Sequence, residues 1–227
     1  PKNQQNVNIL DLLKCKHGVY IDDTDEDGYL IVSARPAKGI LYITQNSPGF
    51  ISGHLRMRGR NGGRYPYRYL DMIDTIFGIE ENIIEVCSGS LKGRQITTSI
   101  EEKNSSSVQL SCFTVDINPD LKPDLVADGE KLDGIPNGKF CRWRCDPPYN
   151  AQTAKSMYGT ERPSTGKLLK AGARVCKTGS LMFLLLGPQN YQICPMGIKR
   201  IGWIPISIVP NNELRALHIF YKYSDNR

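Results

Sequence analysis

The chain has 227 residues, enough to bury a real core as one domain with an appendage or as two small domains. Its 40% hydrophobic and 23% charged content is that of an ordinary globular protein, and the longest apolar run, LMFLLLG at 181–187, is strand-sized, which argues against a membrane-spanning helix. A net charge of +6 and a pI near 8.9 hint at a polyanionic partner and say nothing more specific.

Seven cysteines, an odd number at irregular spacing in a chain too large to need staples, read as reduced thiols and a cytoplasmic location. No signal peptide is apparent, and the chain begins at Pro1 without a methionine, the pattern of a processed or excised segment.

Residues 1 to about 60 hold GVYIDD, GYLIVSARPA and GILYITQ, apolar stretches separated by Gly, Asp and Pro. They predict short strands and an N-terminal β-rich appendage or cap over 1–60. From Leu55 to Leu70 the chain reads LRMRGRNGGRYPYRYL, which interleaves Arg56, Arg58, Arg60, Arg64 and Arg68 with Tyr65, Tyr67 and Tyr69. Arginines neutralise phosphates and aromatic rings stack on bases, so this mixture suits a nucleic-acid surface. It also suits a solvated loop leading into a helix, and the acidic DDTDED at 22–27 can fold back and mask it.

After residue 65 the elements alternate. PYRYLDMIDTIFG begins with Pro66, suited to a first helical turn, sets Leu70, Ile73, Ile76 and Phe77 on one helical stripe and stops at Gly78. Strands are expected at NIIEVCSG (82–89), VQLSCFTVDINP (108–119), GKFCRWRC (138–145) and SLMFLLLG (180–187), with a helix through GKLLKAGARVC (166–176) before the last. The tail IGWIPISIVPNNELRALHIFYKY (201–223) reads as two strands around a PNN turn. The prediction is an α/β fold, a Rossmann-like mostly parallel sheet over 61–227 with a C-terminal antiparallel hairpin at one edge. No internal repeat is present, and NSSS at 104–107 reads as an exposed turn.

Candidate site residues fall at successive carboxyl ends of those strands, the edge where open α/β sheets bind ligands. Glu85 ends the first strand and Gly89 lies in the turn after it, where a ligand can approach the backbone closely. Asp116 ends the second, where a carboxylate can accept from both hydroxyls of a ribose, and Asp128 in DLVADGEKL is placed to accept from an exocyclic amine. In DPPYN, Pro147 and Pro148 cannot donate to a ladder, so the third strand must stop at Asp146 and leave the sheet stiff and extended. Tyr149 offers a ring face to a flat substrate, and Asn150 is a further polar contact.

In order and spacing these segments resemble the class I S-adenosylmethionine-dependent methyltransferases, specifically the D-P-P-Y amino-methyltransferases of DNA and RNA, from about Asn61 to Tyr223. IIEVCSGS resembles the methionine-side loop, VDINP the ribose motif, VADGE the adenine-side motif and DPPYN the catalytic motif, the last being the specific signal. GRNGGRYPYRYLDMI also looks like the glycine motif that precedes the cofactor loop in some DNA adenine methyltransferases.

The resemblance implies S-adenosyl-L-methionine as cofactor, held at its methionine end by Glu85 and the Gly89 backbone, at its ribose by Asp116 and at its adenine by Asp128. It implies a catalytic centre of Asp146, the Pro147 carbonyl and Tyr149, and a nucleic acid as partner, with DNA adenine N6 the favoured target. A duplex base would have to be flipped out to reach the pocket.

The family's second loop glycine is Leu91 here, with Gly93 two residues late, a departure that bears on cofactor affinity. Alternatives are methylation of RNA or of a protein amide nitrogen, though the motif for amides usually begins with Asn, or a non-catalytic nucleic-acid-binding module. Recognition of a target sequence is expected from residues 1–65, from a lid-like loop at 150–166 that stays mobile until it closes over the target, or from a protein partner. Cys141 and Cys145 lack a second pair and read as inert thiols, and no metal is implied. His17, His54 and His218 are scattered structural residues, and Trp143 and Trp203 belong in or beside the sheet.

Overall fold

The computed structural model describes residues 19–24, 30–34, 38–44, 50–58, 65–66, 69–78, 80–91, 112–187, 194–209 and 213–225. Strands β1 (Val19–Thr24), β2 (Leu30–Ala34), β3 (Lys38–Thr44) and β4 (Phe50–Arg58) form an antiparallel series at the N-terminal end, where short strands were expected. Helix α1 (Tyr69–Phe77) follows, then β5 (Ile83–Val86), β6 (Cys112–Asp116), a 3-10 turn at Pro119–Leu121, β7 (Leu125–Val126) and β8 (Phe140–Cys145). Helices α2 (Ala151–Tyr158) and α3 (Thr165–Val175) lead to β9 (Cys176–Leu186), β10 (Ile198–Val209) and β11 (Glu213–Lys222).

The eleven strands among the described residues lie in one sheet, in the order β1-β2-β3-β4-β10-β11-β9-β8-β5-β6-β7. The run β7-β6-β5-β8-β9 is parallel throughout, and β11 is antiparallel to both of its neighbours, β9 and β10. This is a Rossmann-like α/β fold. The order reverses at β5, with β6 on one side and β8 on the other, so the crevice beyond the carboxyl ends of β5 and β8 is the topological switch point.

The β10-β11 hairpin does not form an edge, contrary to the sequence expectation. β10 has a second, parallel neighbour in β4. Along β4 the alternation is that of a half-buried strand, with Ile51, Leu55 and Met57 in the core and His54, Arg56 and Arg58 exposed, so it pairs as a full member of the sheet. His54 Nε2 lies 2.7 Å from Ser207 Oγ across that pairing. A unit boundary at residue 60, expected because residues 1–60 break the alternation of elements, falls in the undescribed segment between β4 and α1.

Two cores flank the sheet. On one face the α1 stripe of Leu70, Ile73, Ile76 and Phe77 is buried against Phe183, Ile204, Leu217 and Ile219. On the other, Leu168 and Leu169 of α3 pack on Ile84, Val86, Trp143 and Leu184. α1 begins at Tyr69, later than Pro66; the Pro66 carbonyl instead accepts the Tyr69 N–H at 3.0 Å and leads into the helix. Gly78, at φ +79°, ends it as expected.

Candidate functional site

β5 needs a continuous apolar run because it is covered on both faces, and Ile83, Ile84 and Val86 provide it. Its exception is Glu85, 1% exposed, on the α1 face. Arg144 Nη1 donates to Glu85 Oε1 at 3.1 Å, Tyr65 Oη donates to Oε2 at 3.3 Å, and Arg144 also pairs with Asp74 of α1. Desolvation pulls the Arg144 pKa down, but Asp74 and Glu85 outweigh it and the guanidinium stays charged. Arg142 donates to the Phe77 and Gly78 carbonyls and caps the end of α1. Glu85, expected at the methionine end of a cofactor, is thus a core ion-pair residue tying β5, β8 and α1 together, because a carboxylate this buried needs a cation.

Beyond β5 the chain turns sharply through left-handed conformations at Cys87 (φ +54°) and Gly89 (φ +54°). Ser88 N donates to Val115 O at 3.2 Å and Gly89 N to Asp116 Oδ2 at 2.9 Å, while Asn118 N donates to Asp116 Oδ1 at 3.0 Å. Gly89 and Asp116 therefore meet, as their positions at adjoining strand ends required. Space beside Gly89 is open, since a Cβ there would touch nothing within 4 Å, and the buried Ser88 Oγ has no partner among the described residues. Open backbone, an unpaired hydroxyl and a carboxylate with lone pairs to spare form a donor and acceptor set that fits the methionine and ribose parts of S-adenosylmethionine. Leu91 packs against the α1-side core instead of crowding that space.

Asp128 lies in the turn after β7, where its Oδ1 accepts the Glu130 N–H at 2.9 Å and Lys131 approaches its Oδ2 at 3.6 Å. Gly129 brings this turn against the end of β5: a Cβ there would lie 2.7 Å from Val86 Cγ1. That close approach is what sets the Asp128 turn beside the loop at Cys87–Gly89.

β8 stops at Cys145 and Asp146 follows, its side chain 6% exposed, with Pro147 buried and Tyr149 half-buried. Desolvation pushes the Asp146 carboxyl up to about 7; Arg215 holds it down, and Glu213 and Glu85 add to the rise. Arg215, from β11, was not singled out in the sequence. Its Nη1 donates to Asp146 Oδ1 at 3.1 Å, and its guanidinium lies 3.7 Å from the Tyr149 ring centroid, so one face of that ring is already taken.

The stretch 150–166, read as a loop, begins with a helix. Asn150 is its N-cap, with Oδ1 accepting the Thr153 N–H at 2.7 Å, and Gly159 (φ +65°) closes it. Asn150, expected to touch substrate, has its side-chain oxygen committed to the cap. Asparagine followed nine residues later by a glycine was the signal for this helix. Its last residue, Tyr158, is half-buried, and burial first, then Asp146, Asp116 and Cys87, raises its pKa.

Among the other candidates, Tyr65 and Tyr69 are buried and stacked at 5.0 Å in the α1 core, so they do not serve a stacking surface. Arg56 and Arg58 are exposed; Arg60, Arg64, Arg68, Tyr67 and His17 lie outside the described residues, as does the second half of DDTDED (25–27). Burial pushes the Cys145 thiol well up, as does its contact with Cys87. No helix among the described residues is long and apolar enough to cross a membrane.

No protein-family model matches the chain, and no curated protein sequence matches it. Among solved structures it is similar to TrmN from Thermus thermophilus at 12% identity and TM-score 0.43, over 63% of this chain and 44% of that one. It is also similar to an rRNA methylase from Streptococcus thermophilus at 10% identity and TM-score 0.38, over 63% and 89%, and to a SAM-dependent methyltransferase from Aquifex aeolicus at 9% identity and TM-score 0.38, over 62% and 81%. The chain thus spans less than half the length of the Thermus protein.

Proposed function

We propose that this chain is an S-adenosylmethionine-dependent N-methyltransferase acting on an exocyclic amine of a nucleic-acid base, with adenine N6 in DNA the favoured target. The observation that carries the reading is the convergence at the switch point: Gly89 latched to Asp116 on one side, and Asp146 with Tyr149 at the end of the adjoining β8.

S-adenosylmethionine supplies a methyl group already activated by its sulfonium. The Gly89 backbone and Ser88 hydroxyl would hold its methionine end, Asp116 would accept from its ribose hydroxyls, and Asp128 would accept from its adenine amine. Asp146 and the Pro147 carbonyl accept hydrogen bonds from the target amine and aim its lone pair, and Tyr149 fixes the plane of the base. Asp146 offers acceptors alone, and the charge that favours the amine's developing positive charge, only while ionised, so turnover should rise with pH through about 7.

Arg56 and Arg58 are exposed at the carboxyl end of β4, on the same edge of the sheet as Asp146. They are four strands away, roughly 19 Å at about 4.8 Å per strand, a span over which a bound nucleic acid reaches both.

The test is mass spectrometry of nucleosides after the protein is incubated with labelled cofactor and, separately, duplex DNA, RNA and peptide. Label in N6-methyl-2′-deoxyadenosine from DNA supports the full reading, label in RNA or peptide moves the substrate, and no label anywhere with cofactor bound leaves a binding module. In the active case Asp146→Ala should nearly abolish transfer with cofactor affinity largely unchanged.

A further inference from the structure

Arg215 engages both proposed catalytic side chains at once. Besides its contacts with Asp146 Oδ1 at 3.1 Å and the Tyr149 ring at 3.7 Å, its Nε donates to Glu213 Oε1 at 2.7 Å, and the residue is only 6% exposed. The fold explains the reach. β9 ends at Leu186, which pairs with Ala216, so Arg215 lies one residue past the end of the strand that separates β11 from β8, and its side chain crosses there to Asp146. A planar guanidinium can stack with its face and donate along its edge, so one group fixes the carboxylate and the ring relative to each other.

We propose that Arg215 is the positioning residue of this site: it clamps Asp146 Oδ1, stacks on one face of Tyr149, and keeps the carboxylate an acceptor for the target amine. This rests on the reading of Asp146 as that acceptor. The anionic neighbours of Asp146 are Glu213 on β11 and Glu85 on β5, both of which oppose its ionisation. Cys145 on β8, Tyr65 and Tyr69 on the α1 side and Tyr158 on α2 also feel its charge, and each has its own pKa raised, so they are neutral near pH 7. Among the described residues, Arg215 is the cation in direct contact. Without it, burial would keep Asp146 protonated at neutral pH, and a protonated carboxyl presents a donor where the amine needs an acceptor.

The experiment compares wild type with Arg215→Met and Arg215→Lys by three readouts: the Asp146 carboxyl titration followed by carbon NMR and assigned with Asp146→Asn, cofactor affinity by calorimetry, and kcat against pH. Arg215→Met should raise the Asp146 midpoint by about one unit or more and lower kcat at pH 7 at least about fivefold, with partial recovery at pH 9. Cofactor affinity should stay within about twofold, since Arg215 touches none of the proposed cofactor residues. Arg215→Lys keeps the charge without the fork, so it should restore the midpoint but not the full kcat.

An unmoved midpoint in Arg215→Met, or a kcat loss equal at pH 7 and pH 9, overturns the proposal. If Arg215→Met does not fold, Arg215→Lys decides: full wild-type kcat there overturns the clamp. A midpoint that moves as expected in a protein that methylates nothing overturns the methyltransferase reading and leaves the ionisation role of Arg215 standing.

Discussion

The Gly89 N–H donates to Asp116 Oδ2 at 2.9 Å and so latches the loop after β5 to the end of β6. One carboxylate both shapes that loop and offers the acceptor proposed for the ribose. Asp116→Ala should therefore weaken S-adenosylmethionine binding by about 1.5–3 kcal/mol, the scale of a charge-assisted hydrogen bond. Titration calorimetry reads this directly, and an unchanged affinity would remove Asp116 from the site. Asp116→Asn keeps one oxygen and should fall between.

Below the site, Arg144 lies between Glu85 and Asp74, all three at most 6% exposed. Arg144→Leu removes the cation that Glu85 and Asp74 share, leaving Asp74 with Arg142 and Glu85 with the Tyr65 hydroxyl, and should cost about 3–5 kcal/mol. The check is the free energy of urea unfolding. A loss under about 1 kcal/mol would mean that water or a rearranged Arg142 takes over the pairing.

Most of the sheet was legible because its strands are apolar runs bounded by turn residues: Ile83–Val86, Phe140–Cys145 and Cys176–Leu186 lie within or close to the expected segments. The α1 stripe was equally plain, since Leu70, Ile73, Ile76 and Phe77 repeat at helical spacing. What periodicity cannot show is pairing between distant residues. Arg142 and Arg144 made β8 look half-charged, and their partner Asp74 is nearly 70 residues away in the chain. Arg215 escaped notice for the same reason, lying 69 residues from Asp146. The edge hairpin was misjudged because nothing local in β10 says that β4, from the far end of the chain, will pair with it.

Gly172 in α3 offers a test in which packing and propensity oppose each other. Alanine gains about 1 kcal/mol over glycine in a helix interior. A Cβ at this position, however, would lie 2.8 Å from the Trp143 ring and 2.9 Å from Met182 Cε. Met182 can move aside, but the buried indole cannot, and overpacking of this kind costs about 1–3 kcal/mol. Gly172→Ala should thus be net destabilising by up to about 2 kcal/mol, seen as a lower Tm. A higher Tm would show that α3 can shift off the sheet without loss.

His218 on β11 is 1% exposed, stacks on Phe220 with ring centroids 6.4 Å apart, and has no hydrogen-bond partner for either ring nitrogen among the described residues. Desolvation, with Arg200 adding, pushes its pKa from 6.5 down to about 4. A depressed folded-state pKa means that the unfolded chain binds the proton more readily. The stability held by the neutral imidazole is therefore complete above pH 6.5 and is lost as pH falls from there towards 4. Over that window the loss amounts to about 3 kcal/mol, at 1.36 kcal/mol per unit. His218→Leu has similar volume, removes the two unpaired nitrogens and cannot be protonated, so it should match or exceed wild-type stability at pH 7 and gain a further margin at pH 4.5. Paired urea unfolding curves at the two pH values isolate this residue, because the other titrating groups are common to both proteins. A stability difference between the two proteins that is the same at pH 7 and pH 4.5 would show that His218 is hydrated or paired in solution.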